Sequence, residues 1–168
     1  VGVNVSVEDL RREFDAVHAS PPCQRYSKAR HTPGSRGREY PDLLPPTLAA
    51  LEGCGKPWVI ENVPGAPMPY AVVLCGTMFG LPLRRHRLCG ASFMLLLPGE
   101  ECRHRDGDLT VFGHCVQVCG SRGAAYTTGT GRTHYQPLRA GSREGGAAMG
   151  IDWMNRGELS EAIPPAYT

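Results

Sequence analysis

The sequence predicts an α/β fold built around a mostly parallel sheet. Two short apolar runs, at Asp15–Ser20 and Trp58–Asn62, end in polar residues, which is typical of buried strands. A helical pattern separates them, and a strand-helix-strand order favours a right-handed crossover and parallel pairing. Ligands collect at the carboxyl ends of the strands in such sheets. The side chains that follow both runs are therefore candidates for one shared site.

The other elements follow from local patterns. Residues 7–14 predict one or two helical turns, and residues 41–53 predict a helix whose first turn holds Pro45 and Pro46, where a missing N–H is tolerated. Weaker patterns predict further strands and helices at Val72–Cys75, Arg87–Cys89, Ser142–Met149 and Gly157–Ile163. In residues 98–141 the apolar periodicity is weak and glycines are frequent, so we predict an irregular segment without long helices or strands. The predicted buried core of the parallel sheet includes Val17, Val59, Ile60 and Leu74.

Length and composition favour one globular domain. The chain has 168 residues, 41% of them apolar, and a net charge of only +2, so bulk charge does not indicate a nucleic-acid partner. No apolar run approaches the roughly 18 residues of a membrane span. Seven cysteines at scattered spacings, with no signal peptide, favour reduced thiols in a cytoplasmic protein.

The charge between Ser20 and Tyr40 is more informative than the total. This stretch holds five basic side chains and one acidic one, a net charge of +4. The residues concerned are Arg25, Lys28, Arg30, Arg36, Arg38 and Glu39. Such a basic loop suits a phosphate-bearing substrate, and the alternative is an ordinary solvated loop.

Cys23 lies within this loop, directly after Pro21 and Pro22. The prolines fix the backbone ahead of the thiol, and neighbouring N–H groups and positive charge favour the thiolate, which is the nucleophilic form. A lone cysteine is more commonly a buried, inert side chain. A Pro-Pro-Cys-Gln turn is not an apolar run, however, so we predict a reactive role.

Glu61 and a pair of arginines are the other candidates for chemistry. Glu61 ends an apolar strand, where a partly desolvated carboxyl group can donate a proton. Arg85 and Arg87 alternate, so a strand would place them on one face, where they can clamp a carbonyl or a phosphate. The alternatives are a strand-end carboxylate facing water and two surface arginines.

Three motifs occur in a specific order along the chain. They are Pro22-Cys23-Gln24 with Ser27, then Glu61-Asn62-Val63, then Arg85-x-Arg87. Together they resemble the nucleophile loop, the Glu-Asn-Val motif and the arginine motif of the DNA (cytosine-5) methyltransferases, in particular the short phage and prophage types. Residues 148–152 and 162–165 are similar to weaker versions of the family's two C-terminal motifs. The resemblance implies a Rossmann-like S-adenosylmethionine-dependent methyltransferase core.

The resemblance also implies a mechanism. The Cys23 thiolate would add to C6 of cytosine, Glu61 would protonate or hydrogen-bond N3, and C5 would take a methyl group from S-adenosylmethionine. Arg87, with Arg85, would hold the base O2 and the cysteine loop. The substrate-binding residues would be Pro22, Gln24, Ser27, Asn62 and Val63. The implied partner is double-stranded DNA with a flipped cytosine, and residues 98–141 would be a reduced target-recognition region.

The sequence departs from this family on the cofactor side. No Phe-x-Gly-x-Gly turn follows a first strand, and no acidic residue at the end of a second strand is available for a ribose. We therefore expect residues 1–168 to be a partial catalytic domain, truncated at its N-terminal side, with weak or absent S-adenosylmethionine binding. A complementing N-terminal segment would then supply the cofactor site.

Two rival interpretations belong to other classes. The first is a non-catalytic DNA-binding remnant or decoy. The second is a zinc-stabilised nucleic-acid-binding module, whose ligands would come from Cys102, His104, His114, Cys115 and Cys119. Cys102 and His104 are tightly spaced for two ligands of one ion, so the preferred interpretation contains no metal. A zinc cytidine deaminase is set aside, because no second cysteine follows Cys23 at the required spacing.

Overall fold

A computed structural model describes residues 6–27, 30, 37–112, 115–120, 125–127, 133–135 and 139–167. Within these residues the helices are α1 (Val7–Glu13), α2 (Leu44–Cys54), α3 (Ser142–Met149) and α4 (Arg156–Glu161). The strands are β1 (Val17–Ala19), β2 (Trp58–Asn62), β3 (Val72–Cys75), β4 (His86–Ala91), β5 (Leu109–Phe112), β6 (Cys115–Val118), β7 (Ala125–Thr127), β8 (Thr133–Tyr135) and β9 (Arg139–Ala140). None of the described helices is long and apolar enough to cross a membrane.

These residues form two compact units. The first unit comprises those within Val1–Val73 and Arg87–Leu97, and the second comprises those within Leu74–His86 and Pro98–Thr168. The α/β class predicted from the sequence is confirmed. Strands β2 and β3 and helix α3 have the predicted bounds.

The four-stranded sheet has the strand order β1, β2, β4, β3. Strands β1 and β2 are parallel, whereas β4 is antiparallel to β2 and brings Cys89 opposite Glu61. The prediction of a mostly parallel sheet is therefore wrong, since only one pair among the described strands of this sheet is parallel. The chain reaches β4 from β3 through residues 76–85, whose regular structure is one 3-10 helix. A parallel crossover needs about a dozen residues and usually a helix, so β4 enters the sheet antiparallel.

The core of the first unit lies between α2 and the sheet. Its buried members are Leu44, Leu51, Ile60, Ala66 and Leu88. Leu51 is 2% exposed, and burying such a side chain contributes about 1.5–3 kcal/mol. Helix α2 begins with Pro45 and Pro46 in its first turn, as predicted, and is capped by Gly55 at φ 68°.

The predicted sheet core is only half correct. Ile60 and Leu74 are buried, at 2% and 6% exposure, which confirms this part of the prediction. Val17 and Val59 are only partly buried. Strand β1 is short and, among the described strands, lies at the edge of the sheet, so Val17 has a described sheet neighbour on one side only.

The second unit is built from antiparallel strands and two short helices. Strands β5, β6 and β9 form one sheet, and β7 pairs with β8. Residues 98–141, expected to be irregular, therefore contain short strands. Helix α3 packs closely on this sheet, since a Cβ on Gly145 would lie 2.6 Å from a methyl carbon of Val116. Met149 and Leu159 are fully buried in the same core.

Candidate functional site

The loop that carries Cys23 is tied to the end of strand β2. Because β1 and β2 are parallel, with Ala19 beside Ile60, their carboxyl ends meet at one edge of the sheet. Asn62 Nδ2 donates to the Pro21 carbonyl oxygen at 3.0 Å, and the Asn62 side chain is almost completely buried. This hydrogen bond fixes the start of the cysteine loop next to the residue that follows Glu61.

The cysteine loop forms a compact turn. The Tyr26 and Ser27 N–H groups donate to the Cys23 carbonyl oxygen at 3.0 and 2.9 Å. The loop after β2 packs directly on this turn, because a Cβ on Gly65 would lie only 2.5 Å from the Tyr26 carbonyl oxygen. Glycine is therefore needed at position 65 for this approach.

Partial exposure of the nucleophile candidate is compatible with access by a substrate. Cys23 and Ser27 are partly exposed, and Pro22 and Gln24 are exposed. Val63 is partly buried, and its N–H donates to Asn62 Oδ1 at 2.9 Å. Both ends of the Asn62 amide are thus used to hold backbone, one on each loop.

A nearly buried ion pair lies at the end of the same strand. Arg87 Nε is 2.6 Å from Glu61 Oε1, and the two side chains are 15% and 8% exposed. The antiparallel register explains the contact, since Cys89 is opposite Glu61 and Arg87 lies two residues before Cys89 on the same strand face. Either charge alone would cost free energy of folding at this burial. The short, hydrogen-bonded contact between the two groups offsets that cost.

The thiol of Cys89 lies beside this ion pair and is buried. Burial and, to a smaller extent, the Glu61 carboxylate raise the pKa of Cys89 to about 11, although Arg87 acts in the opposite direction. Cys89 is thus a neutral thiol at physiological pH, although it lies directly opposite Glu61.

A polar cluster on residues 40–42 supports the outer side of the cysteine loop. The Tyr26 hydroxyl donates to Asp42 Oδ1, and Arg25 forms an ion pair with the same carboxylate at 3.4 Å. Arg25 also donates to the Tyr40 carbonyl oxygen at 3.2 Å. Burial, with the Asp42 hydrogen bond and charge, raises the pKa of Tyr26 to about 12.

The predicted basic loop is only partly described. Arg30 donates to the Arg25 carbonyl oxygen at 2.8 Å, and Arg38 is exposed. Lys28 and Arg36 lie outside the described residues. Two of the described arginines of this loop, Arg25 and Arg30, therefore donate hydrogen bonds to backbone carbonyl oxygens of the loop itself.

Arg85 belongs to the second unit. Its side chain is buried, with 4% exposure for the residue, and donates to the carbonyl oxygens of Val111, Ser160 and Ala162 at 2.6–2.8 Å. The Tyr167 hydroxyl in turn donates to the Arg85 carbonyl oxygen. These contacts join β5 to the end of α4 and to a 3-10 helix at Pro165–Tyr167. In the first unit, the loop that carries Cys23 is hydrogen-bonded to Asn62 at the end of the strand that carries Glu61, and Glu61 pairs with Arg87. Arg85 has a different set of contacts.

The second unit contains a cluster of potential metal ligands that the sequence revealed only in part. Donor atoms of Cys75, His86, Cys102 and His104 all lie within 4.8 Å of one another. Sequence reasoning found Cys102 and His104 but missed Cys75 and His86, because they precede the loop by many residues in no recognised ligand spacing. Of the other expected ligands, Cys119 is not in the cluster, and His114 and the Cys115 side chain lie outside the described residues.

No protein-family model matches this chain, and no curated protein matches it either. Its function must therefore be argued from the residues of the site itself.

Proposed function

We propose that this chain carries the base-activating part of DNA cytosine-C5 methylation. The observation that supports it best is the nearly buried Glu61–Arg87 pair, linked through the Asn62–Pro21 hydrogen bond to the Cys23 loop. A nucleophile, a carboxylate and a guanidinium are thereby attached to neighbouring strands at one sheet edge. This combination suits an aromatic base that must be attacked at one carbon and polarised at its ring nitrogen and carbonyl.

The proposed chemistry begins at Cys23. Its thiolate forms a bond to C6 of cytosine, the C5=C6 π pair shifts to C4–C5, and the C4=N3 π pair moves onto N3, which takes up a proton from water. Glu61 holds that N3–H by accepting its hydrogen bond. The ring is then an enamine whose C5 attacks an electrophile. Loss of the C5 proton to water, expulsion of the thiolate from C6 and release of the N3 proton to water then restore the C5=C6 double bond and the neutral base.

Arg87 has two roles in this proposal. It fixes the Glu61 carboxylate through Nε, and a guanidinium has further N–H donors of the kind that binds a base carbonyl such as cytosine O2. Because β2 and β4 are hydrogen-bonded in a fixed register, the Glu61–Arg87 pair is already in position before the substrate binds. Preorganised charge of this kind is an effective way to stabilise a developing charge in a transition state.

The methyl donor does not have a fitting site among the described residues. A cofactor of this kind usually needs a glycine turn after one strand and an acidic residue at the end of another to bind the ribose. Strand β1 is followed by Ser20-Pro21-Pro22, and Glu61, near the end of β2, already forms an ion pair with Arg87. The described residues therefore contribute the base-side chemistry only. In the proposed enzyme, a complementing segment supplies that site, and double-stranded DNA presents a flipped cytosine to Cys23.

A cofactor-independent exchange assay tests the proposal. Once Cys23 has added to C6, a solvent proton can add to C5 in place of a methyl group, and reversal then releases the original C5 hydrogen. We expect the chain to release tritium to water from mixed-sequence DNA labelled at cytosine C5. Cys23→Ser should abolish the release, and Cys119→Ser, which changes another partly exposed cysteine, should retain it.

Equal release by the Cys23→Ser variant and the unaltered chain would refute the nucleophile assignment. No release by the unaltered chain, together with DNA binding that Cys23→Ala leaves unchanged, would instead support the non-catalytic DNA-binding remnant or decoy.

A further inference from the structure

We propose that Cys75, His86, Cys102 and His104 bind one structural Zn²⁺ ion. These residues lie in the second unit and share none of the side chains assigned to cytosine chemistry in the first. The proposal is therefore independent of the proposed function.

The donor atoms approach one another as ligands of a single ion do. His104 Nε2 is 3.4 Å from Cys75 Sγ and 3.0 Å from Cys102 Sγ, and His86 Nε2 is 3.3 Å from Cys102 Sγ. A tetrahedral zinc site with Zn–S of about 2.3 Å and Zn–N of about 2.0–2.1 Å has S···N separations of about 3.6 Å. The three measured separations are slightly shorter, so a small outward shift of the side chains would accommodate the ion.

Hydrogen bonding alone explains this convergence poorly. Both imidazole Nε2 atoms are directed at Cys102 Sγ, and His104 Nε2 also faces Cys75 Sγ. The Thr77 hydroxyl adds a further donor within reach of both sulfur atoms. Thiols and neutral imidazoles have few protons to share among so many close pairs, whereas a cation satisfies all four lone pairs at once.

Two of the four ligands lie at strand ends, and the other two lie on a loop. Cys75 ends β3 and His86 begins β4, at the two ends of residues 76–85. This connection is tight, because a Cβ on Gly76 would lie 2.6 Å from the Leu83 carbonyl oxygen. Cys102 and His104 come from a stretch without regular structure, so a metal would fix this loop to the strand ends.

The ligand chemistry selects zinc and a structural role. Two thiolates and two imidazoles in tetrahedral arrangement suit Zn²⁺ and match its charge. Four protein ligands leave no open position for a substrate or an activated water, so the site would stabilise and would not catalyse. The described cysteines are free, so no Cys75–Cys102 disulfide occupies this position.

Metal analysis of the full chain tests the site directly. Protein expressed with added zinc should contain about one Zn²⁺ per chain by mass spectrometry of the metal. Cys102→Ser and His104→Gln should each reduce this content at least several-fold, whereas Cys119→Ser, a cysteine of the same unit outside the cluster, should leave it unchanged.

Cobalt substitution keeps the proposal testable if a ligand variant fails to fold. The Co²⁺-loaded unaltered chain should show the intense visible bands of tetrahedral cobalt and thiolate-to-metal charge transfer. Metal-free protein after expression with zinc, an octahedral cobalt spectrum, or a Cys75–Cys102 disulfide in freshly purified protein would each overturn the proposal.

Discussion

Replacing Arg87 with methionine removes the ion-pair partner that Glu61 has at 2.6 Å, and the Glu61 side chain is only 8% exposed. Breaking a buried pair by removing one partner costs about 3–5 kcal/mol, because the remaining charge stays desolvated. With a urea dependence of about 1–3 kcal/mol per molar, this loss lowers the unfolding midpoint by about 1–5 M. Urea unfolding followed by tryptophan fluorescence measures it, since Trp58 lies on the same strand as Glu61.

An exposed pair of the same chemistry provides the matched control. Arg12 Nη2 is 2.8 Å from Glu13 Oε1, but the two side chains are 65% and 53% exposed. Arg12→Met should therefore lower the free energy of unfolding by at most about 1 kcal/mol. The double variant Glu61→Met/Arg87→Met should recover much of the loss, because apolar replacement of a complete buried pair is often neutral. Equal midpoints for Arg87→Met and Arg12→Met would show that the Glu61–Arg87 pair is not buried as described.

Three further predictions concern the cysteine loop and its surroundings. Gly65→Ala should destabilise the chain by about 1–3 kcal/mol in urea unfolding, because its Cβ would meet the Tyr26 carbonyl oxygen, whereas Gly99→Ala, in open space, should have little effect. Since the pKa of Tyr26 is raised from about 10 to about 12, its contribution to stability should be complete below about pH 10 and lost as the pH rises to about 12. Tyr26→Phe should remove that part of the alkaline loss, and an unchanged pH profile would contradict the assignment. Iodoacetamide at about pH 8 should modify Cys23 before Cys89, whose pKa is raised to about 11, and peptide mass spectrometry showing equal rates would oppose this order.

The sequence predicts the local elements of this chain better than their arrangement. Apolar runs and proline positions are local signals, and they located β2, β3 and α2 with small errors. Sheet direction depends on how the chain returns between strands. The strand-helix-strand pattern correctly predicts that β1 and β2 are parallel, whereas β4 follows a short connection at residues 76–85 and is antiparallel, so the prediction of a mostly parallel sheet fails beyond the first pair. The burial of Val17 was overestimated for a related reason, since an apolar residue does not reveal that its strand is an edge strand.

The metal cluster shows a different limit of sequence reasoning. The short spacing of Cys102 and His104 predicts a ligand pair, and the nearest candidate partners for it in the sequence lie further along the same loop. The structure combines them with Cys75 and His86, which the turn at residues 76–85 brings together. A ligand set assembled from two strand ends and one loop has no characteristic spacing, so only the tertiary arrangement shows it.

The two arginines show why a periodic pattern requires knowledge of strand bounds. Alternation predicts one shared face for Arg85 and Arg87, but this rule holds only for residues inside the same strand. Strand β4 begins at His86, so Arg87 follows the strand geometry and meets Glu61 across the register. Arg85 precedes the strand and donates to three backbone carbonyl groups of the second unit. Variants of the two arginines should therefore separate in their effects: an Arg85 variant should lower stability by loss of these contacts, whereas Arg87 variants should additionally alter the exchange of tritium at cytosine C5. If Arg85→Lys abolished exchange while leaving the urea midpoint unchanged, Arg85 would have to contact the base itself, and the division of roles drawn from these contacts would be incorrect.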